Sequence, residues 1–399
     1  MKIKNLYIKE FKGLRDISIN FEKNDEPLDL VVLAGTNGTG KTRILESILD
    51  YFQKIVNHIE NENVAEVFFE TDEQNCLNQG YDSNMLYLIL NYYNDENIVE
   101  RGRKVVEENL KVFPKIIYVP TETNFQKVEI ASPMLVREYK FLNIVDTGLI
   151  KDVPSYIATR IMEMANEQEN TPMGEIRAAV FKEINEIFEI LDLDIKISEI
   201  SKNVKSIPIF TNSAGDKFDI NELSSGEKQL FLRTLAIKML NPENSIILID
   251  EPELSLHPKW QQRIIDVYRK IGKNNQIIIA THSPHILGSV RKENIILLDK
   301  DDDGKIVVRT GDELYDSYGQ PTERILEDIM GLKTTRNQEI FDKLEKIREM
   351  VNEDKYETDD FKKEYGDLKE ILGTMDEDIM LIDMEIQIRR KGLKNVKNK

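Results

Sequence analysis

One cysteine, Cys76, stands in 399 residues, so no internal disulfide can form, which fits a reducing compartment. No apolar run approaches the roughly 20 residues needed to cross a bilayer. The opening Met1-Lys2-Ile3-Lys4-Asn5-Leu6 carries charge with no long apolar stretch behind it, unlike a secretory signal. The expectation is a cytoplasmic protein with no membrane partner. Positive charge is also scarce: 54 Lys and Arg face 72 Asp and Glu, a net charge of −18. Such a surface repels DNA and anionic membranes, so a nucleic-acid contact would need a local basic patch or a partner protein. The clearest patch is Arg389, Arg390, Lys391, Lys394, Lys397 and Lys399, with no acid among them. The same run also reads as a solvated chain end.

What is present is core-forming material, 40% hydrophobic and 32% charged, enough for about two or three domains. The chain is organised around Gly35-Thr36-Asn37-Gly38-Thr39-Gly40-Lys41-Thr42. An apolar run, Leu30–Ala34, precedes it and reads as a buried strand. Arg43–Leu49 follows, with apolar residues at helical spacing. Strand, glycine loop and helix form the context of a phosphate-binding P-loop. Gly35, Gly38 and Gly40 let the backbone turn its N–H groups inward around an anion, with Asn37 in the same curl. The helix N-terminus adds partial positive charge. Lys41 would reach the β- and γ-phosphates of ATP, and the Thr42 hydroxyl would ligate Mg²⁺.

Before the loop, Ile3, Leu6 and Ile8, and then Asp16–Phe21, read as strands, with Phe11–Arg15 a turn between them. Lys12 and Arg15 could approach a nucleotide phosphate or be ordinary surface charge. Asn61 to about Gly80 reads as a polar loop, Met85–Leu90 as a strand, and Pro114–Pro120 as a core strand bounded by prolines. Pro154–Leu193 is rich in helix formers, with Ile176, Ala179, Val180, Ile184, Ile187 and Phe188 at helical spacing, and contains no repeat or low-complexity tract. From Ile220 strands and helices alternate again, as in a parallel sheet covered on both faces. After Pro321 the reading is helical. Asn337–Met350 forms an amphipathic pattern suited to a partner helix or to packing within the chain.

Four elements downstream supply what a nucleoside triphosphatase needs. Ile246–Ile249 is an apolar run ending in Asp250 and Glu251. Asp250 would hold Mg²⁺, and Glu251 would polarise the attacking water. Ile277–Thr281 ends in His282, which could sense the γ-phosphate. Leu223-Ser224-Ser225-Gly226-Glu227-Lys228-Gln229 places small and polar residues at a helix start, either a second anion-binding end or a plain cap. Ser255-Leu256-His257-Pro258 reads as a turn into a further helix.

In this order these residues resemble the ABC-type ATPases, in particular the soluble branch containing the SMC proteins and RecF. The resemblance makes Gly35–Thr42 the Walker A motif and Leu223–Gln229 the signature. Asp250 and Glu251 close Walker B, Ser255–Pro258 is the D-loop, and His282 is the switch histidine. Gln126 is the Q-loop residue, contacting Mg²⁺ and water. Ser225 stands where the signature often has glycine, and a small residue still permits close approach of phosphate. The implied fold is α/β: an ABC-ATPase head with a P-loop parallel sheet and an antiparallel β lobe, an inserted helical lobe and a C-terminal helical region. The segments run 1–130, 131–218, 219–310 and 311–399. The first and third form the head, and the fourth is a dimerisation or partner-binding region. The middle segment is too short for a long SMC-type coiled coil. ATP would lie between two heads, held by Walker A of one and the signature of the other, in a homodimer or higher assembly.

Within the branch, this compact form is similar to ATPases of bacterial anti-phage systems: the Septu, retron-associated and PARIS ATPases and the ATPase half of OLD nucleases. The run Tyr315–Leu326 suggests the first two. An OLD-type nuclease needs further carboxylates on strand ends, whereas Asp301–Gly304 reads as a hairpin turn. The expectation is an ATPase without nuclease, controlling an effector (a nuclease or toxin) on its C-terminal helices. The alternative is a RecF- or SMC-like repair ATPase that clamps DNA directly. The acidic balance favours the first, because a DNA clamp wants a basic face.

Overall fold

Leu30–Gly35 is buried at every position, as a strand covered on both faces should be, and it is the third strand of a seven-stranded sheet, beside the central one. In the computed structural model, which describes residues 1–57, 65–70, 113–121, 140–201, 207–301 and 303–397, the chain divides into two compact units, Met1–Ile325 and Leu326–Lys399.

The first unit opens with β1 (Lys2–Phe11) and β2 (Leu14–Asn20), joined at Lys12-Gly13. Both turn residues have positive φ, 45° and 89°, the combination a two-residue hairpin requires. β3 (Glu22–Lys23) and β4 (Glu26–Pro27) form a small ribbon before β5 (Leu30–Gly35) and α1 (Lys41–Asn57). β6 (Ala65–Glu70) pairs antiparallel with β1, so part of the stretch expected to be a polar loop is a strand. Its Ala-Glu-Val-Phe-Phe-Glu sequence is β-prone, and Val67 enters the core. The expected strand at Met85–Leu90 and the Q-loop residue Gln126 lie outside the described residues.

β7 (Ile116–Val119) and β8 (Leu142–Ile144) lead to α2 (Thr147–Glu167) and α3 (Met173–Ile190). Next come β9 (Ile195–Ile200), β10 (Pro208–Asn212) and β11 (Lys217–Asp219), an antiparallel sheet of their own. The 131–218 segment, expected to be helical, is therefore mixed. Five of the six helical positions anticipated from the sequence are buried along α3, while Ala179 is exposed, and Phe188 meets Phe210 of β10 edge to face. The sheet was missed because its strands are short and half polar, with weak period-two patterning.

α4 (Ser225–Met239) and β12 (Ile246–Asp250) follow, then α5 (Pro258–Gln261), α6 (Ile264–Arg269), β13 (Gln276–Ala280), α7 (Pro284–Leu287), β14 (Ile295–Lys300) and β15 (Ile306–Thr310). The large sheet runs β15-β14-β5-β13-β12-β7-β8, and every neighbouring pair is parallel except β14–β15. β5, β13 and β12 are adjacent, so the P-loop, His282 and the Asp250-Glu251 pair leave the same sheet edge at its carboxyl end, where ligands of open parallel sheets sit. One face packs Ile44, Leu45, Ile48 and Phe52 of α1 together with Leu14, Ile17 and Ile19 of β2. Each buried side chain of this size contributes about 2 kcal/mol, a margin against which strained loops at the sheet edge can persist. The result is the α/β architecture expected from the sequence, a mostly parallel sheet with an antiparallel β lobe.

Leu326–Lys399 holds α8 (Gln338–Asn352), α9 (Asp359–Leu372) and α10 (Glu377–Lys397). Leu344, Ile347 and Val351 of α8 pack with Phe361, Tyr365 and Leu368 of α9 and Ile379, Ile382 and Ile386 of α10. Residues 311–325, expected with these helices, cluster with the first unit instead. There Ser317 donates to the Val290 carbonyl at 2.6 Å and is fully buried. The basic run is helical through Lys397. Arg389 pairs with Glu385 and Asp354, and Arg390 with Glu357, so two of its cations are already compensated. No helix among the described residues is long and apolar enough to cross a membrane.

Candidate nucleotide and catalytic site

Gly35 ends β5 with φ at +145°, and an added Cβ would come 2.3 Å from the carbonyl oxygen of Leu298 on β14. Only glycine fits there, since the obstacle is the backbone of the neighbouring strand. Gly35→Ala is expected to displace the loop, abolish nucleotide binding and cost about 1–3 kcal/mol of stability. Titration with a fluorescent ATP analogue and a thermal melt check this; unchanged affinity would exclude the loop as the phosphate site.

The loop crest is open at Thr36, Asn37 and Gly38, whereas Lys41 is buried at the first position of α1. Its Nζ donates to the Gly35 and Thr36 carbonyls at 2.8 and 3.1 Å, which leaves it poised at the loop mouth. Burial lowers its pKa, opposed by the nearby carboxylates Glu251, Glu253 and Asp250. Thr42 donates its hydroxyl to Asp250 Oδ1 at 3.0 Å, joining α1 to the end of β12. Thr121, just beyond β7, donates to the other carboxylate oxygen at 2.7 Å. Burial raises the pKa of Asp250, and the two threonine hydrogen bonds work the other way by favouring the charged form. Thr42 and Asp250 are hard oxygen donors, and their meeting suits a small divalent cation such as Mg²⁺.

Glu251 takes a φ of +44°, unusual for a residue with a side chain, and its N–H is held by the Ala280 carbonyl at 2.9 Å. That kink turns the chain out of β12 immediately after Asp250. The Glu251 carboxylate lies 3.3 Å from His282 Nδ1, so the two strand ends bring together the base and the switch histidine anticipated from the sequence.

Three further residues were not singled out from the sequence. Glu253 is buried; its Oε1 accepts from the Thr281 hydroxyl at 2.6 Å and from the His282 N–H at 2.9 Å, and lies 3.5 Å from His282 Nδ1. Its carboxylate thus holds the loop that carries the histidine. Arg233 of α4 is 1% exposed and donates to the Glu251 carbonyl at 3.2 Å and the Pro120 carbonyl at 2.6 Å. Thr121 is the third. The available signals were an acid two positions past Glu251, a lone cation inside the apolar run of α4, and a threonine at the end of a core strand.

The signature segment starts α4. Ser224 caps the helix; its hydroxyl donates to Glu227 Oε2 at 2.6 Å, and the Glu227 N–H returns to Ser224 Oγ at 3.4 Å, a capping box. Ser224 and Ser225 are exposed. Gly226 is buried: a Cβ there would lie 2.7 Å from the Ser255 carbonyl oxygen, so the signature helix and the D-loop turn touch within one chain. Arg15 is not drawn to the loop. The strand alternation sends Leu14 inward against Gly40 and Arg15 outward, where it pairs with Glu10 at 3.2 Å.

The family described as "AAA ATPase domain" matches residues 1–171, and the one described as "AAA domain, putative AbiEii toxin, Type IV TA system" matches residues 147–288. The chain is 28% identical to the Septu protein PtuA of Bacillus thuringiensis over 88% of its own length and 91% of that protein's. It is 24% identical to the "Retron Vc95 probable ATPase" of Vibrio cholerae serotype O1 biovar El Tor, over 75% of this chain and 74% of that one. Among solved structures, the Smc head bound to the C-winged helix domain of ScpA aligns with a TM-score of 0.44 and 16% identity, covering 78% of this chain and 99% of that one. The chain is thus similar, across most of its length, to the Septu protein PtuA and to a probable retron ATPase, and over part of it to AAA ATPase domains.

Proposed function

We propose that the chain binds ATP at Gly35–Thr42, hydrolyses it between two head-to-tail copies, and through that cycle controls a separate effector in an anti-phage system. The observation that carries the chemistry is the convergence on Asp250 and Glu251: Thr42 on one carboxylate and His282 on the other, from three adjacent strands. Lys41 would leave the Gly35 and Thr36 carbonyls for the β- and γ-phosphates. Thr42 and Asp250 would hold Mg²⁺, which neutralises phosphate charge and orients the leaving group. Glu251 aligns the attacking water and takes its proton, and His282, steadied by Glu253, hydrogen-bonds the γ-phosphate. His282 and Glu251 together thus report whether the γ-phosphate is present.

The composite site follows from the signature. One triphosphate does not need two helix N-termini from the same chain, and here Ser224 and Glu227 close only on each other, at the surface. A second copy's Ser224 would exchange Glu227 for the γ-phosphate as the heads dock. The test is complementation. Lys41→Ala and Ser224→Arg are each expected to be inactive. Mixed in equal amounts, half the dimers carry one intact site of two, so about a quarter of wild-type turnover should return. A mixture as inactive as its components would show that each chain works alone.

Similarity to the Septu and retron ATPases supports the defence role. Any cutting of nucleic acid would fall to the effector, on the Leu326–Lys399 unit. A RecF- or SMC-like clamp that grips DNA directly is the second reading. The pairing of Arg389 and Arg390 with acids weighs against it, because a phosphate-binding face needs uncompensated cations.

A further inference from the structure

α10 carries two apolar faces. One, Ile379, Ile382 and Ile386, packs into the core of the C-terminal unit. The other is open: Met380 is 47% exposed, Leu381 60%, Met384 57% and Ile388 66%. These positions recur at three- and four-residue steps, the spacing of a helix seam rather than of scattered surface residues.

The charge along this face identifies the occupant. The exposed positions begin with Glu377 and end with Lys391, each seven residues from Met384. Among the described residues neither has an ion-pair partner, although Arg389, Arg390, Asp378 and Asp383 of the same helix are all paired. A face that is acidic at one end, basic at the other and apolar between is complementary to itself turned end for end. We propose that α10 pairs antiparallel with α10 of a second copy, about a two-fold axis at Met384. Met384 meets its counterpart, Met380 meets Ile388 of the second copy, and Glu377 meets Lys391 of the second copy. A parallel pairing would set Glu377 against Glu377 and Lys391 against Lys391. The contact is isologous and needs no nucleotide, so it differs from the ATP-dependent docking of heads and does not rest on it.

The test uses the full chain carrying Lys41→Ala, in nucleotide-free buffer, by sedimentation equilibrium. A dimer is expected. Leu381→Glu with Ile388→Glu, both at exposed positions, should weaken it more than a hundredfold by burying charge in the seam. Glu377→Lys or Lys391→Glu alone should each weaken it on the order of tenfold, since the axis repeats the pair, and the two together should restore it. Met384→Cys in a Cys76→Ser background should give a disulfide-linked dimer under mild oxidation. A monomer at tens of micromolar overturns the proposal. So does a dimer indifferent to these substitutions, or a variant that loses only a different protein while its self-association is unchanged.

Discussion

Glu251→Gln is expected to lower ATP turnover by about 10²–10⁴-fold, the contribution of a positioned general base, while ATP binding is retained. The amide keeps the size of the side chain, and the Glu251 N–H hydrogen bond to Ala280, which sets the +44° kink, is a backbone contact that the substitution leaves alone. Asp250, Thr42 and Lys41, which would hold the nucleotide, are untouched. Nucleotide would therefore bind and persist, and heads that docked around it would fail to separate. Phosphate release reads the rate; size-exclusion chromatography with and without ATP reads the trapped dimer. Turnover at the wild-type rate would mean that another group activates the water and that Glu251 is a strand-end acid placed for solvation.

The second large effect is expected at Arg233. Truncation to Ala would remove the donor that Arg233 gives the half-buried Glu251 and Pro120 carbonyls and open a cavity beside α4, one of the most completely buried helices of the first unit. Losses of about 3–5 kcal/mol are typical when one member of a buried polar cluster is removed, and a thermal melt should fall on the order of 10 °C. Arg233→Lys separates folding from function. It keeps the charge but gives up the planar fork that reaches two carbonyls at once, so the melt should recover in part while turnover stays low. The physical point is position. Arg233 sits on α4, seven residues or about 10 Å beyond Gly226, and its guanidinium grips the carbonyl of Glu251, the proposed base. If the proposed docking of heads displaces that helix, the arginine would convey the movement to Glu251. If Arg233→Ala melts and turns over like the wild type, that link is absent.

Much of the site was legible because each part is local. The P-loop is eight contiguous residues whose glycines have a stereochemical reason, and Gly35 shows it: no side chain fits against the Leu298 carbonyl. The strand ahead of Asp250 is apolar throughout because the sheet covers it on both sides. Glu253, Thr121 and Arg233 were not legible, because their roles depend on contacts with residues distant along the chain. Thr121 and Asp250 are separated by 129 positions, and nothing in either neighbourhood announces the other. Arg15 misled because a cation near a P-loop in sequence is attractive, yet strand alternation turns it outward. The β9–β11 sheet was hidden for a different reason: its short strands gain their stability from α3 and from each other, and half of their positions are only partly buried.

The sequence by itself determined the chemistry available to this protein. It carries a phosphate loop, a carboxylate pair, a strand-end histidine and a capped signature helix, and their order allows one fold class. These follow from local rules of turn geometry, alternation and capping, which act within a few residues. The tertiary structure alone decided which of those groups meet. The parallel order of β5, β13 and β12 brings Thr42, His282 and Glu251 to one edge, a buried arginine joins α4 to Glu251, and α10 keeps one apolar face for its own core and leaves the other exposed. Such decisions belong to packing, which sums many weak contacts over the whole chain and leaves no mark on any short stretch of it.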